Sequence, residues 1–190
     1  MAEALLSQAA ESLPPSERFV AAGVYAIYYR GTSPTYARLV EANRERPPQR
    51  EIPIYVGKAV PKGARKGGNL SGESPGCVLH DRLQEHSESI ASATSLRIED
   101  FWYRSLAVDS VWIPLGETLL IRRFTPLWNH VVEGFGNHDP GKGRHAGKRS
   151  DWDVLHSGRP WATRLSPGRK RSEIERSIEE FLTKQLARVD

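Results

Sequence analysis

A single cysteine among 190 residues rules out an internal disulfide framework and any zinc site built on several thiolates. A reducing, cytoplasmic home is the expectation. Apolar runs of membrane-spanning length are missing too, and the opening Met-Ala-Glu-Ala-Leu-Leu lacks the basic region of a secretory leader. No membrane partner is therefore expected, and no internal repeat at solenoid periods is present. The phosphate-loop pattern G-x-x-x-x-G-K-[ST] is also missing. The two Gly/Lys-rich stretches that come nearest, residues 58–68 and 143–149, both fail it, which argues against nucleotide hydrolysis. What remains is one domain of ordinary size, long enough to bury a core without staples, with a formal net charge of +4.

That small excess of cations is unevenly spread. Nine Lys or Arg fall between Lys142 and Arg171, opposed only by Asp151 and Asp153. Such a segment carries the electrostatic footprint of a phosphate backbone. Lys142, Arg144, Lys148, Arg149, Arg159 and Arg164 are its candidate DNA contacts, and a bidentate arginine on guanine is worth about 1 to 3 kcal/mol of discrimination. Trp152, Trp161 and His145 lie inside the segment, and its Gly and Pro content favours an ordered loop excursion over a long helix.

Upstream, residues 19–29 are rich in β-branched and aromatic side chains and are stopped by Gly31 and Pro34, so they read as a strand. Period-two alternation assigns Val24, Ala26 and Tyr28 to one face and Tyr25, Ile27 and Tyr29 to the other. A shorter strand over 52–57 carries Tyr55, which can meet Tyr25 across paired strands. Ser74 and Pro75 read as the start of a helix on which Leu79 and Leu83 face the core. Arg82 and His86, at i and i+4, share a neighbouring face. A strand follows from Phe101 to Val108. A helix over 115–124, stopped by Pro126, then places Glu117 in its first turn, among Leu115, Leu119, Leu120 and Ile121. Each of these residues alone has a bland explanation: packing for the tyrosines, a solvated helix surface for Arg82 and His86, a helix-dipole contact for Glu117.

Together they can hydrolyse a phosphodiester, which needs a base for the water, positive charge on the phosphorane oxygens and stabilisation of the leaving oxygen. Glu117 is a hard oxygen ligand suited to Mg²⁺. Arg82 offers a planar fork for phosphate. Tyr25 acts as the base only if Lys58, Arg82 or a metal ion lowers its pKa from about 10. His86 accepts or relays the proton, or orients a tyrosine hydroxyl. Asn129 is neutral, and its role is to position backbone or Glu117.

In order and type, Gly23-Val24-Tyr25, Tyr55-Val56-Gly57, Arg82, His86, Glu117 and Asn129 resemble the active site of the GIY-YIG nuclease superfamily, with valine at the centre of both strand motifs. The resemblance covers the catalytic module. It implies one divalent metal per site on Glu117, Mg²⁺ with Mn²⁺ as a substitute, and Tyr25, Tyr55, Arg82, His86, Glu117 and Asn129 as the catalytic set, to which Lys58 is added as the cation near Tyr25. The histidine one turn after the arginine and the downstream Gly-Asn-His-Asp-Pro-Gly and Gly-Arg-Pro-Trp-Ala segments are similar to type II restriction endonucleases of that superfamily reading CCGCGG. Double-stranded DNA, a homodimer matched to a palindrome and a companion DNA methyltransferase are the partners this implies. The competing readings are a structure-specific repair or mobile-element nuclease and a catalytically silent DNA-binding module. A ββα-metal site on His130, Asn137 and His138 lacks both the hairpin and the spacing.

The expected fold is α+β: a small, mainly antiparallel three-stranded sheet flanked by helices near 3–12, 35–45, 75–92, 115–124 and 172–189. A catalytic module over about 19–132 precedes a DNA-recognition extension over about 133–171. The closing helix, with Ile174, Ile178, Phe181, Leu182, Leu186 and Val189 on one stripe, packs on the core or on a second subunit.

Overall fold

A computed structural model describes residues 1–61, 74–139, 141 and 147–187. The chain is α+β around one antiparallel sheet of four strands, β1 (Glu11–Ser12), β2 (Gly23–Tyr29), β3 (Tyr55–Ala59) and β4 (Phe101–Ala107), in the order β1-β4-β2-β3. Three strands were expected. The fourth is the two-residue β1, which covers the outer edge of β4 where ladder groups would otherwise go unpaired. The Tyr103 hydroxyl donates to Glu11 there at 2.9 Å. The helix expected over 3–12 is accordingly cut to α1 (Ala2–Leu6).

Strand β2 lies between β3 and β4, and all seven of its residues are buried, because helices cover both faces of the sheet. The alternation read from the sequence holds. Val24, Ala26 and Tyr28 pack with Val56, Leu5, Ile113 and Leu120 on one face. Tyr25, Ile27 and Tyr29 join the larger core on the other. Tyr36 closes a short 3-10 turn (Pro34–Tyr36) that runs into α2 (Ala37–Arg44).

Two helices carry the site. Helix α3 (Val78–Ser92) starts later than Ser74 and Pro75 suggest, because Gly76 takes φ +68°, a left-handed conformation that breaks the helical run before Cys77. Helix α4 (Ile113–Phe124) starts earlier and takes Pro114 into its first turn. Glu117 therefore sits in the second turn, where the helix-dipole explanation loses its force. The core-facing residues of α4 are Ile113, Gly116 and Leu120, whereas Leu115 and Leu119 are exposed, contrary to the expected inward apolar company of Glu117.

After α5 (Leu127–His130), the chain between 133 and 171 is not an appendage. Phe135, Trp152 and Leu155, the last two on α6 (Asp151–Leu155), are buried in the same core as Tyr25. Helix α7 (Arg171–Leu186) then buries Ile174, Ile178 and Leu182 against that core, so its apolar stripe is packed within the chain.

One set of buried polar groups is tied into a chain. Trp128 Nε1 donates to the Tyr36 hydroxyl at 3.0 Å, and that hydroxyl lies 2.5 Å from His156 Nε2. His156 Nδ1 is 2.8 Å from Ser95 Oγ, which in turn lies 3.3 Å from the Leu155 carbonyl. Since Ser95 gives its one proton to the Leu155 carbonyl, its oxygen accepts from Nδ1, so His156 carries its proton there and Nε2 accepts from the Tyr36 hydroxyl. Burial, with Arg171 and Arg159 nearby, pushes the imidazole down to about 3, so it stays neutral in the folded chain.

The unfolded chain takes up that proton as pH falls below about 6.5, whereas the folded chain refuses it until about 3. Stability should be unaffected by this group above the upper limit and fall by about 1.4 kcal/mol per pH unit inside the window. Urea unfolding at several pH values checks it: His156→Gln should remove roughly one proton from the linkage slope, and an unchanged slope would contradict the assignment.

Candidate active site

Tyr25 is paired across the ladder with Gly57, and Tyr55 with Ile27, so the tyrosines are diagonal neighbours on one face, with ring centroids 6.3 Å apart. Glycine at 57 has a steric reason: a Cβ there would lie 2.4 Å from the Tyr25 hydroxyl. Helix α3 lies over this face and brings His86 Nε2 to 2.6 Å from the Tyr25 oxygen, with both side chains almost wholly buried. The imidazole stacks on Phe135, centroids 4.4 Å apart and planes at 16°, while its edge meets Tyr55.

Arg82, one turn before His86, is held by three acceptors. Its Nη1 donates to Glu85 at 2.8 Å and to His138 Nε2 at 2.6 Å, and Nη2 donates to the Gly136 carbonyl at 3.0 Å. A Cβ on Gly136 would lie 3.0 Å from the Tyr55 hydroxyl and 3.1 Å from Arg82 Nη2, which places both groups against this one backbone position.

Around the edge strand β3, on its opposite face, Lys58 Nζ meets the Glu117 carboxylate at 2.5 Å. Asn129 clamps β3 between the two groups: its Oδ1 accepts from the Val56 N–H at 2.8 Å and its Nδ2 donates to the Val56 carbonyl at 2.9 Å. The structure thus gathers Tyr25, Tyr55, Arg82 and His86 on one face, sets Lys58 with Glu117 on the other, and puts Asn129 on the strand between.

The site does not produce the lowered pKa that would make Tyr25 a resting base. Burial raises its pKa well above 10, Tyr55 adds to the rise, and Arg82 opposes it without prevailing. Tyr55 is raised by burial as well. His86 moves the other way: burial, reinforced by Arg82 and Arg159, holds it well below its usual 6.5. The pair is a neutral phenol against a neutral imidazole, and the Glu117 carboxylate makes either phenolate harder to form.

The basic extension divides. Lys142, Arg144 and His145 lie outside the described residues. Lys148 and Arg164 are exposed, and Arg149 is half-buried with Nε donating to the Ala162 carbonyl at 3.2 Å. Arg159 is corrected from DNA contact to internal brace. It is 3 % exposed, donates to the Gly134 and Phe135 carbonyls, lies 3.5 Å from Asp153 and stacks on Trp152. Its charge thereby holds in place the Phe135 ring on which His86 rests. Sequence reasoning missed Phe135, Gly136 and the contact of His138 with Arg82. The glycines flanking Phe135 were the available signal, since only a backbone without Cβ approaches this closely.

These residues frame a cleft of about 280 Å³ beside Arg82 and His86, bordered by His138, Arg159 and Trp161. Among the described residues no three His, Cys, Asp or Glu come together as a ready metal cage. No described helix is long and apolar enough to cross a membrane. A family model described as the Eco29kI GIY-YIG domain matches residues 17–182, most of the chain. No curated protein matches it significantly.

Gly57→Ala should test the close approach. The clashing atoms are Oη, Cζ and Cε2 of a rigid, wholly buried ring, so the expected result is a displaced Tyr25 ring with a clearly lowered thermal midpoint, by about 5 °C or more. Nitrogen NMR of the His86 ring reads the lost hydrogen bond directly. An unchanged ring signal would show that the hydroxyl had not moved.

Proposed function

The chain belongs to the Eco29kI GIY-YIG family of restriction endonucleases, and from that membership we propose that it is a type II enzyme. In this reading it hydrolyses both strands of a GC-only palindrome, CCGCGG, as a homodimer using one Mg²⁺ per site. The observation that carries the catalytic reading is the 2.6 Å contact between Tyr25 and a neutral, buried His86, with Arg82 one turn away.

The proton path follows from the raised phenol. Tyr25 does not reach the phenolate as a resting state. Its oxygen accepts a proton from the attacking water while its own proton passes to His86 Nε2, so charge appears on the imidazole only as the water attacks. Stacking on Phe135 holds the ring in line for that transfer. Arg82 presents its remaining N–H groups to the phosphate oxygens, and Tyr55 flanks them.

Glu117 would hold the ion. A single carboxylate suits Mg²⁺, which keeps most of its waters and takes substrate phosphate, and Mn²⁺ accepts the same oxygen donors. Bound there, the ion supplies charge neutralisation at the phosphate and the leaving oxygen. Lys58, 2.5 Å from Glu117, holds the carboxylate's orientation by the same charge attraction. One catalytic set per chain must be doubled to cut two strands, and two-fold symmetry on a palindrome does this. A methyltransferase of matching specificity is the companion such an activity requires.

Plasmid cleavage with Mg²⁺ tests the reading. Glu117→Gln should abolish cutting and leave DNA binding near wild type, and Tyr25→Phe, which preserves the packed ring, should lower kcat with little change in KM. Comparable cleavage by Glu117→Gln would remove the metal assignment. Full single-turnover activity of Tyr25→Phe would pass the base role to His86 alone.

Recognition is tested separately on Lys148, Arg149 and Arg164. A side chain that reads a base should, as alanine, lower the preference for cognate over scrambled duplex, whereas a phosphate contact weakens both equally and reduces the salt slope by about one. Binding titrations at two salt concentrations distinguish them. Uniform weakening in all three would move base reading to another segment.

A further inference from the structure

His138 stands 65 % exposed at the rim of the cleft, yet its Nε2 lies 2.6 Å from Arg82 Nη1. An arginine has only donors, so the imidazole nitrogen facing it must be an acceptor, and His138 carries its proton on Nδ1. The second anchor from the same segment is the Gly136 carbonyl on Nη2, at a position where a Cβ would lie 3.0 Å from the Tyr55 hydroxyl. Glu85 Oε2 takes a further Nη1 proton at 2.8 Å and lies 3.9 Å from His138 Nε2.

We propose that His138 is a positioning residue for phosphodiester cleavage, fixing the Arg82 guanidinium against Tyr25 and Tyr55 through its unprotonated Nε2. Three acceptors from α3 and the 136–138 segment fix the plane of the guanidinium and hold its other N–H groups beside the Tyr25 and Tyr55 hydroxyls. Removing one leaves a long side chain free to swing toward Glu85, and a displacement of about 1 Å at a reacting centre costs on the order of 10²-fold in rate. The charged and titratable groups that line the cleft with His138 are Arg82, Glu85, His86 and Glu88 on α3, Asp139 beside it in the chain, and Arg159.

The inference rests on the nuclease reading of the site, and two measurements separate their failures. In single-turnover and steady-state cleavage by the full chain with Mg²⁺, His138→Ala should lower kcat by roughly 10- to 100-fold with KM changed less than about threefold. His138→Gln, whose amide oxygen can accept from Nη1, should recover most of that loss. A purely structural role would not produce the rescue. Failure of the wild-type chain to cut DNA would remove the nuclease reading. Wild-type cutting matched by His138→Ala would overturn the positioning role alone. Independently of activity, nitrogen NMR should show the His138 ring with Nε2 unprotonated, its signal moving in Arg82→Ala. An Nε2-protonated ring would overturn the contact itself.

Discussion

The architecture turns on one constraint: Tyr25 belongs to a strand buried on both faces, and its hydroxyl must find a partner without water. An unsatisfied buried hydroxyl costs about 1 to 3 kcal/mol. The sheet cannot supply that partner, because Gly57 opposite has no side chain and the ladder uses the backbone groups. A residue from the covering helix must reach in, and His86 does so. That contact fixes the height and rotation of α3 over the sheet, and with them the position of Arg82 one turn earlier. The same dryness sets the chemistry. Burial raises the phenol and lowers the imidazole, so the pair rests uncharged and moves a proton only when an incoming group changes the balance.

A second dependence runs through the 133–171 segment. Arg159 is enclosed at 3 % exposure by the carbonyls of Gly134 and Phe135, Asp153 and the Trp152 ring. Removing one partner of such a buried pair costs about 3 to 5 kcal/mol, far more than an exposed ion pair contributes. The brace therefore holds a short, glycine-flanked stretch at the one place where Phe135 stacks on His86 and the Gly136 carbonyl takes Arg82. A segment that resembles a nucleic-acid surface by composition is also the wall of the candidate site, and its Gly136 carbonyl and His138 ring meet Arg82 directly.

Much of the site was legible in the sequence because its parts are local. The period-two split of Val24, Ala26 and Tyr28 from Tyr25, Ile27 and Tyr29 follows from strand geometry alone, and the shared face of Arg82 and His86 from helix geometry. What failed depended on neighbours distant in sequence. The strand β1 forms because β4 has an open edge, which no local pattern of Glu11 and Ser12 announces. The start of α4 was misplaced because Pro114 was taken as a boundary, although proline is well suited to a first helical turn. Arg159 read as a surface cation because charge is normally solvated. Its burial required Trp152, Asp153 and two carbonyls from residues about 25 positions away to converge.

The condition set for Tyr25, a pKa lowered by nearby cations, is not met for a related reason, and this bears on mechanism. Nearby cations can lower a phenol only when their attraction exceeds the cost of burying a phenolate, and Arg82 is itself half-buried and shared among Glu85, His138 and the Gly136 carbonyl. Its field is spent on several acceptors, whereas the desolvation of Tyr25 falls on one atom. A cation that neutralises Glu117 would change that balance by removing a negative charge that now disfavours both phenolates. Substrate phosphate at Arg82 acts in the opposite sense, adding negative charge beside the phenols. In the proposed mechanism the phenol is therefore never ionised: it would take a proton from water as it gives its own to His86, and the 2.6 Å contact suits such a concerted transfer.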